Sequence, residues 1–152
     1  MNILFLCTGN ISRSYLAKKL LEYEIDQKLS ERIFVESAGI LDNDGMQADP
    51  VMVDYLTKLK IPATDHSSRI ITKKDVEWAD HIYVMENRHR EYIHEHWPEA
   101  DNKVERLGKY ISPDQLEDDI IDPYGKAPYY YRVVQSQITS AIKSLFKKLV
   151  LK

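Results

Sequence analysis

The feature that most constrains this chain is a short apolar stretch that ends in its only cysteine and runs directly into a tight loop. The stretch is Asn2 to Cys7 (NILFLC), and the loop begins at Thr8 to Asn10. An apolar run that stops at such residues predicts a buried strand followed by a turn. Apolar residues then recur at helical spacing from Leu16 to Ile25, so the chain begins with a strand, a loop and a helix.

The alternation of strand and helix continues along the chain. Further strands are predicted at Ile33 to Ser37, at His81 to Met85 and around Val104 to Leu107. Helices are predicted after Asp49-Pro50, at Thr72 to Trp78 and, as the longest, at Tyr129 to Leu149. This order predicts an α/β fold, an open four-stranded parallel sheet flanked by helices on both faces.

Length and composition restrict the class of protein. We expect the 152 residues to form one domain, 1-152, because this length suits a single hydrophobic core. A net charge of −3 gives no support to a nucleic-acid partner, because domains that bind nucleic acids usually carry a strongly basic face. No apolar run approaches the roughly 18 residues of a membrane span. We therefore expect a cytoplasmic protein with no nucleic-acid or membrane partner, and a lone thiol suits a reducing compartment.

The loop after the first strand carries the chemistry. Cys7 and Arg13 lie six positions apart, and loop amides that converge at a helix N-terminus form a concave anion site suited to phosphate. The same field favours thiolate over thiol and so a nucleophile, while the planar guanidinium holds two phosphate oxygens at once. Ser14 places a hydroxyl near the sulfur. The alternative is a buried structural cysteine with an exposed arginine, which the strand and helix context disfavours.

The segment CTGNISRS, Cys7 to Ser14, resembles the phosphate-binding loop of the low-molecular-weight protein tyrosine phosphatases. The resemblance spans nearly the whole chain, because further motifs of that family occur in the expected order. They are Ser37-Ala38-Gly39, Ala48-Asp49-Pro50, His66 and Arg69 in DHSSR, Asp80 through Met85, and Asp122-Pro123-Tyr124.

The resemblance implies hydrolysis of phosphotyrosine in a protein or peptide, with inorganic phosphate as product. In this reaction Cys7 forms a phosphocysteine, Arg13 stabilises the transition state, and Asp122 protonates the leaving group and then serves as base for water. No metal and no cofactor is needed, and we expect a monomer or weak dimer. Asp118 and Asp119 are rival acids, but neither is followed by proline and an aromatic residue.

Supporting roles also follow from the resemblance. Asn10, Ser14, Ser37 and His66 are expected to form a hydrogen-bonded set that holds the strained loop. The residues expected to contact phosphate or substrate are Thr8, Gly9, Asn10, Ile11, Ser12, Ser14 and Tyr124.

The chain departs from the family pattern at several positions. Ser12 replaces the usual second cysteine. The related arsenate reductases need additional cysteines, so a chain with one cysteine does not fit that activity. Tyr15 replaces a proline, and we expect it at the cleft rim, in the core or on the surface. The segment Leu41 to Gly45 has no aromatic residue, which thins the cleft wall. In the phosphoarginine-specific branch position 11 is typically threonine, so Ile11 favours phosphotyrosine.

Other functions are compatible with parts of the sequence. Within enzymes, the alternative is a phosphatase for phosphoarginine or small phosphate esters. A catalytically idle phosphate-binding module is disfavoured because nucleophile, arginine and acid are all present. A nucleotide-binding domain is excluded because the loop lacks the required glycine and lysine spacings. Tyr129, Tyr130 and Tyr131 are candidate phosphorylation sites, although helix packing is the plainer interpretation.

Overall fold

The fold is organised around a four-stranded parallel sheet in the order β2-β1-β3-β4. It is described by a computed structural model covering residues 1–28, 32–63, 65–111 and 119–151. The predicted open parallel sheet is confirmed. Because β1 is central, its carboxyl end, Cys7, lies in the middle of one sheet edge beside Gly39 of β2. The strands are β1 Asn2–Cys7, β2 Phe34–Gly39, β3 His81–Val84 and β4 Val104–Arg106.

Helices cover both faces of the sheet. They are α1 Arg13–Gln27, α2 Pro50–Lys58, α3 Lys73–Trp78, α4 Asn87–His96 and α5 Pro128–Val150, with 3-10 turns at Pro98–Lys103 and Leu107–Tyr110. Ile3 and Phe5 of β1 pack in the cluster that includes α1 and α5, whereas Leu4 and Leu6 pack in the one that includes α3 and α4. Two-sided burial explains why β1 is continuously apolar.

Helix α4 was not predicted. Its sequence NRHREYIHEH has only His89 and Ile93 buried, so it lacks the apolar stripe from which helices are recognised. In α2, Met52 and Leu56 are the buried residues, whereas Leu59 lies just past the helix and is 44% exposed. Within the described ranges, no helix is long and apolar enough to cross a membrane.

The last residue of β2 allows the loop after β1 to pass close to the sheet. A Cβ atom on Gly39 would lie 2.7 Å from the carbonyl oxygen of Thr8 and 2.9 Å from the backbone nitrogen of Asn10. Both neighbours are backbone atoms, which cannot turn aside as a side chain does. The path of the loop therefore requires glycine at this position.

Replacing Gly39 by alanine is expected to destabilise the fold by about 3 kcal/mol or more, the upper end for overpacking, because the new methyl group meets loop backbone atoms that cannot turn aside. The measurement is urea-induced unfolding followed by circular dichroism. Gly125→Ala is the matched control, since Gly125 has φ +77 but no atom within 4 Å of the position that a methyl group would occupy. Its cost is limited to backbone strain of about 1–2 kcal/mol. Equal losses in the two variants would contradict the steric explanation.

Candidate active site

Cys7 lies at the bottom of a hollow formed by residues 7–13, called the cup below. Its side chain is buried, and its sulfur accepts a hydrogen bond from the backbone N–H of Asn10 at 3.3 Å. Ser14 Oγ lies 3.0 Å from the same sulfur and accepts from Asn10 Nδ2 at 2.9 Å. Because Ser14 Oγ accepts from Asn10, its proton is available to the sulfur. The predicted contact between Ser14 and Cys7 is present.

Asn10 is the centre of the predicted support set. It adopts a left-handed backbone, with φ 56. Its Nδ2 donates to Ser14 and to Ser37, the latter at 2.9 Å, and its carbonyl oxygen accepts from His66 Nε2 at 2.7 Å. Since a carbonyl only accepts, Nε2 of His66 carries a proton. Burial lowers the pKa of His66, which favours the neutral ring at pH 7. The structure thus brings all four support residues together.

The cup is shaped by donors that hold its carbonyl groups from outside. Four consecutive carbonyl oxygens, from Thr8 to Ile11, each accept a hydrogen bond from beyond the loop. The donors are the backbone N–H groups of Ile40 and Leu41 for Thr8, Nδ2 of Asn43 for Gly9, Nε2 of His66 for Asn10, and the N–H of Asp49 for Ile11.

Because these four carbonyl groups point out of the loop, the N–H groups of the same peptides point into it. In a trans peptide the C=O and the next N–H point in opposite directions, and the described chain has no cis peptide bond. The N–H groups from Gly9 to Ser12 therefore face the cup, as that of Asn10 does toward the sulfur. Together with the N-terminus of α1, they create an anion site without any added ion.

Arg13 is the first residue of α1 and its side chain is only 1% exposed. Its Nη1 donates to Glu86 Oε2 at 2.6 Å and to the carbonyl oxygen of Ile120 at 2.7 Å, and its Nη2 donates to Thr8 Oγ1 at 3.3 Å. Burial alone would raise the pKa of Glu86, but hydrogen bonds from Arg13 and Arg88 outweigh it and lower the pKa. The ionised carboxylate fixes the guanidinium beside the cup.

Glu86, Arg88 and His89 were missed by the sequence reasoning. His89 is fully buried, and burial, together with the charge of Arg13, lowers its pKa to about 3. Its Nδ1 accepts from the N–H of Glu86 at 3.0 Å, so the proton is on Nε2, which lies 2.9 Å from Thr8 Oγ1. Arg88 Nη2 donates to the same oxygen at 2.7 Å.

The position of these three residues in the sequence could have indicated that they lie near the cup. They lie within five positions of the end of β3, and β3 is the parallel neighbour of β1. The carboxyl ends of adjacent parallel strands meet at one edge, where ligands bind in open α/β sheets.

Asp122 lies at the mouth of a cleft of about 230 Å³ above the cup. Its side chain is 42% exposed, and its Oδ2 lies 3.7 Å from Arg13 Nη2. Its Oδ1 accepts the N–H of Tyr124 at 3.0 Å, which fixes the carboxylate. The cleft is lined by Cys7, Thr8, Gly9, Ile11, Ser12, Arg13, Leu41, Asn43, Met46, Asp122 and Tyr124.

The rival acids differ from Asp122. Asp119 accepts from the N–H of Asn87 at 2.8 Å and from Arg106 at 3.2 Å, and it does not line the cleft. Asp118 lies outside the described residues. The geometry therefore favours Asp122 over Asp119 as the group that can reach a bound ligand.

The side chain of Ser12 does not face the cup. Its Oγ donates to Asp49 Oδ2 at 2.6 Å, and the same carboxylate oxygen accepts from the hydroxyl of Tyr131. Although serine is a residue type that often caps helices, Ser12 precedes α1 without a side-chain capping hydrogen bond. Ser12 can therefore serve an anion only through its backbone.

The aromatic residues left open by the sequence take different positions. Tyr15 is fully buried, with its ring 4.8 Å from that of His66, so it belongs to the core. Tyr129 and Tyr130 are exposed and Tyr131 is buried. The turn that begins at Leu41 contributes no aromatic residue to the cleft wall, and Leu41 and Met46 line the cleft there. In the described ranges, no cluster of three His, Cys, Asp or Glu side chains is placed to hold a metal.

Comparisons with known proteins agree with this geometry. Residues 2–152 match the family model described as low molecular weight phosphotyrosine protein phosphatase. A protein-arginine-phosphatase of Geobacillus stearothermophilus is 34% identical over 97% of this chain and 95% of its own. A low molecular weight protein-tyrosine-phosphatase of Escherichia coli is 35% identical over 83% of this chain and 80% of its own. A solved arginine phosphatase from Geobacillus stearothermophilus superposes with TM-score 0.87 at 33% identity, covering 99% of this chain and 93% of that one.

His89 is expected to make the fold less stable as the pH falls. Its pKa is about 3 in the folded protein and 6.5 ordinarily, so between these values the unfolded chain binds a proton that the folded chain does not. The free energy of unfolding then falls by at most about 1.4 kcal/mol per pH unit. His89→Gln removes this contribution and flattens the slope. Urea unfolding between about pH 4.5 and 7 measures it, and parallel slopes for both proteins would refute the assignment.

Proposed function

Because the chain belongs to the low molecular weight phosphotyrosine protein phosphatase family, we propose that it hydrolyses protein phosphotyrosine with Cys7 as nucleophile. One observation carries the proposal. The thiol of Cys7 and the guanidinium of Arg13 border one cleft whose floor is lined by inward backbone amides. A thiolate and a phosphoryl group are both anions, and this is a site that favours both.

In the first step the Cys7 thiolate attacks phosphorus. A sulfur–phosphorus bond forms, the bond from phosphorus to the tyrosine oxygen breaks, and Asp122 gives its proton to that oxygen. Arg13 and the cup amides bind the oxygens of the transferring group, where negative charge is spread in the transition state. The hydrogen bond from Arg13 Nη1 to Glu86 Oε2, at 2.6 Å, supports this role because it fixes the guanidinium before substrate binds.

In the second step water attacks the phosphocysteine. Asp122, now a carboxylate, accepts the proton of the water, the sulfur–phosphorus bond breaks, and inorganic phosphate is the product. Ser14 assists as Cys7 leaves, since its hydroxyl, 3.0 Å from the sulfur, donates to the re-forming thiolate. Both steps close without a metal or a cofactor.

The cleft wall supports an aromatic ester as substrate. Ile11, Leu41, Met46 and Tyr124 line the space above the cup, and apolar, thioether and aromatic groups of this kind pack against a phenyl ring. Phosphoarginine is the second candidate, because the relative matched over 97% of this chain is named a protein-arginine-phosphatase. We place the reaction in the cytoplasm, where a catalytic thiolate stays reduced.

Cys7→Ser is expected to abolish hydrolysis of para-nitrophenyl phosphate, because a serine hydroxyl in this site is a far weaker nucleophile than a thiolate. Asp122→Ala is expected to lower kcat by roughly 10²-fold or more, because the leaving oxygen loses its proton donor. Steady-state kinetics without added metal measure both effects. Trapping and mass spectrometry of the phosphorylated protein detect the phosphocysteine.

The matched control for the acid is Asp119→Ala, which removes a nearby carboxylate that does not line the cleft. Its kcat is expected to stay within about threefold of the wild type. Comparable losses in both aspartate variants would sink the assignment of Asp122. Turnover that survives in Cys7→Ser would reject the covalent mechanism.

Ile11→Thr is expected to weaken the preference for phosphotyrosine. The change removes apolar surface from the cleft and adds a hydroxyl, so the ratio of kcat/KM for phosphotyrosine to that for phosphoarginine should fall by about 3- to 10-fold. Parallel assays on peptides of one sequence carrying either phosphorylated residue measure the ratio. An unchanged ratio, or wild-type protein that prefers phosphoarginine, would overturn the proposed substrate.

A further inference from the structure

A turn at residues 41–46 contacts the cup through the backbone of Leu41 and the side chain of Asn43. Nδ2 of Asn43 donates to the carbonyl oxygen of Gly9 at 3.0 Å. The acceptor has no proton to give, so the orientation of the Asn43 amide is fixed. The approach is close, because a Cβ atom on Gly9 would lie 2.6 Å from that nitrogen. Glycine at position 9 therefore lets Asn43 reach the backbone of the cup.

The hydrogen bond from Asn43 is connected to the Cys7 sulfur through the peptide group that joins Gly9 and Asn10. The carbonyl held by Asn43 and the N–H of Asn10 belong to the same trans peptide and point in opposite directions. That N–H donates to Cys7 Sγ at 3.3 Å. Rotating the plane to release the Asn43 hydrogen bond would also turn the N–H away from the sulfur. Asn43 is thus linked to the nucleophile by two hydrogen bonds on opposite sides of one rigid group.

The turn is itself held in place. The backbone N–H of Leu41 donates to the carbonyl of Thr8 at 3.0 Å, and that of Met46 donates to Ser68 Oγ at 2.9 Å. Between them, Asp44 and Gly45 adopt left-handed backbone, with φ 52 and φ 68. A turn anchored at both ends holds Asn43 with little loss of conformational entropy on binding.

We propose that Asn43 is a positioning residue for the nucleophile. By fixing the Gly9–Asn10 peptide, it keeps one N–H directed at the sulfur and so stabilises the Cys7 thiolate. The same turn supplies Leu41 and Met46 to the cleft wall, so it carries both substrate contact and thiolate support. The inference deepens the proposed function and rests on Cys7 as its nucleophile.

The test is the pH dependence of Cys7 alkylation by iodoacetamide in the full chain. Cys7 is the only cysteine, so the mass increase reports this thiol alone. In Asn43→Ala the pH midpoint of alkylation is expected to move upward by roughly 0.5 to 1 unit, because the thiolate loses a fixed hydrogen-bond donor. Hydrolysis of para-nitrophenyl phosphate below that midpoint should slow by roughly 3- to 10-fold.

Gln47→Ala is the matched control, since Gln47 is exposed, lies in the same connection and does not line the cleft. Its midpoint should equal that of the wild type. The titratable groups around the cup and the turn are unchanged in both variants; they are Arg13, Asp42, Asp44, Asp49, His66, Glu86, Arg88, His89 and Asp122. Circular dichroism checks folding, and if Asn43→Ala is unfolded, the uncharged and near-isosteric Asn43→Leu replaces it, with an upward shift of the same size because it also lacks the donor.

The outcomes separate the two proposals. An upward shift in the Asn43 variant with none in Gln47→Ala supports the positioning role, whether or not the chain hydrolyses phosphotyrosine, because alkylation requires no turnover. An Asn43 variant that is folded and alkylated with the wild-type midpoint overturns it. A wild-type chain that is alkylated normally but hydrolyses no phosphate ester counts against the proposed function alone.

Discussion

The structure depends on an electrostatic constraint at the end of β1. The loop that forms the cup must direct its backbone carbonyl groups outward and its backbone N–H groups toward the centre of the cup. A loop of this kind is unfavourable unless each carbonyl has another partner, because unpaired buried polar groups are costly. Here the partners come from the segment after β2, from His66 and from the start of α2. The anion site is therefore created by the surrounding elements as much as by the loop.

Arg13, like the cup, is held by hydrogen-bond partners from the surrounding elements. A buried guanidinium needs acceptors for its N–H groups, and Glu86, the carbonyl of Ile120 and the hydroxyl of Thr8 supply them. Neutral His89 fills the space behind Thr8 without adding charge. Arg13 therefore stays buried with acceptors for its N–H groups, and it also lines the cleft.

The sequence predicts the sheet and the cup loop well, because both leave local signals. An apolar strand, a glycine-containing turn and a cysteine six positions before an arginine can be read without coordinates, and so can the alternation that defines the parallel sheet. Helix α4 and the partners of Arg13 could not be read in this way. The helix has almost no apolar stripe, and Glu86 acts through a contact 73 positions away in the chain. The outward turn of the Ser12 side chain depends on Asp49, which the sequence marked only as a helix start.

The link between Arg13 and Ile120 has a consequence for the acid. Ile120 is hydrogen-bonded to Met85 through its N–H and to Arg13 through its carbonyl, and Asp122 follows two positions later. The segment that carries Asp122, the proposed proton donor, is thus tethered to Arg13, which is proposed to bind the phosphoryl oxygens. Because one backbone segment joins the two groups, a displacement of the Arg13 guanidinium would also displace the backbone that carries Asp122.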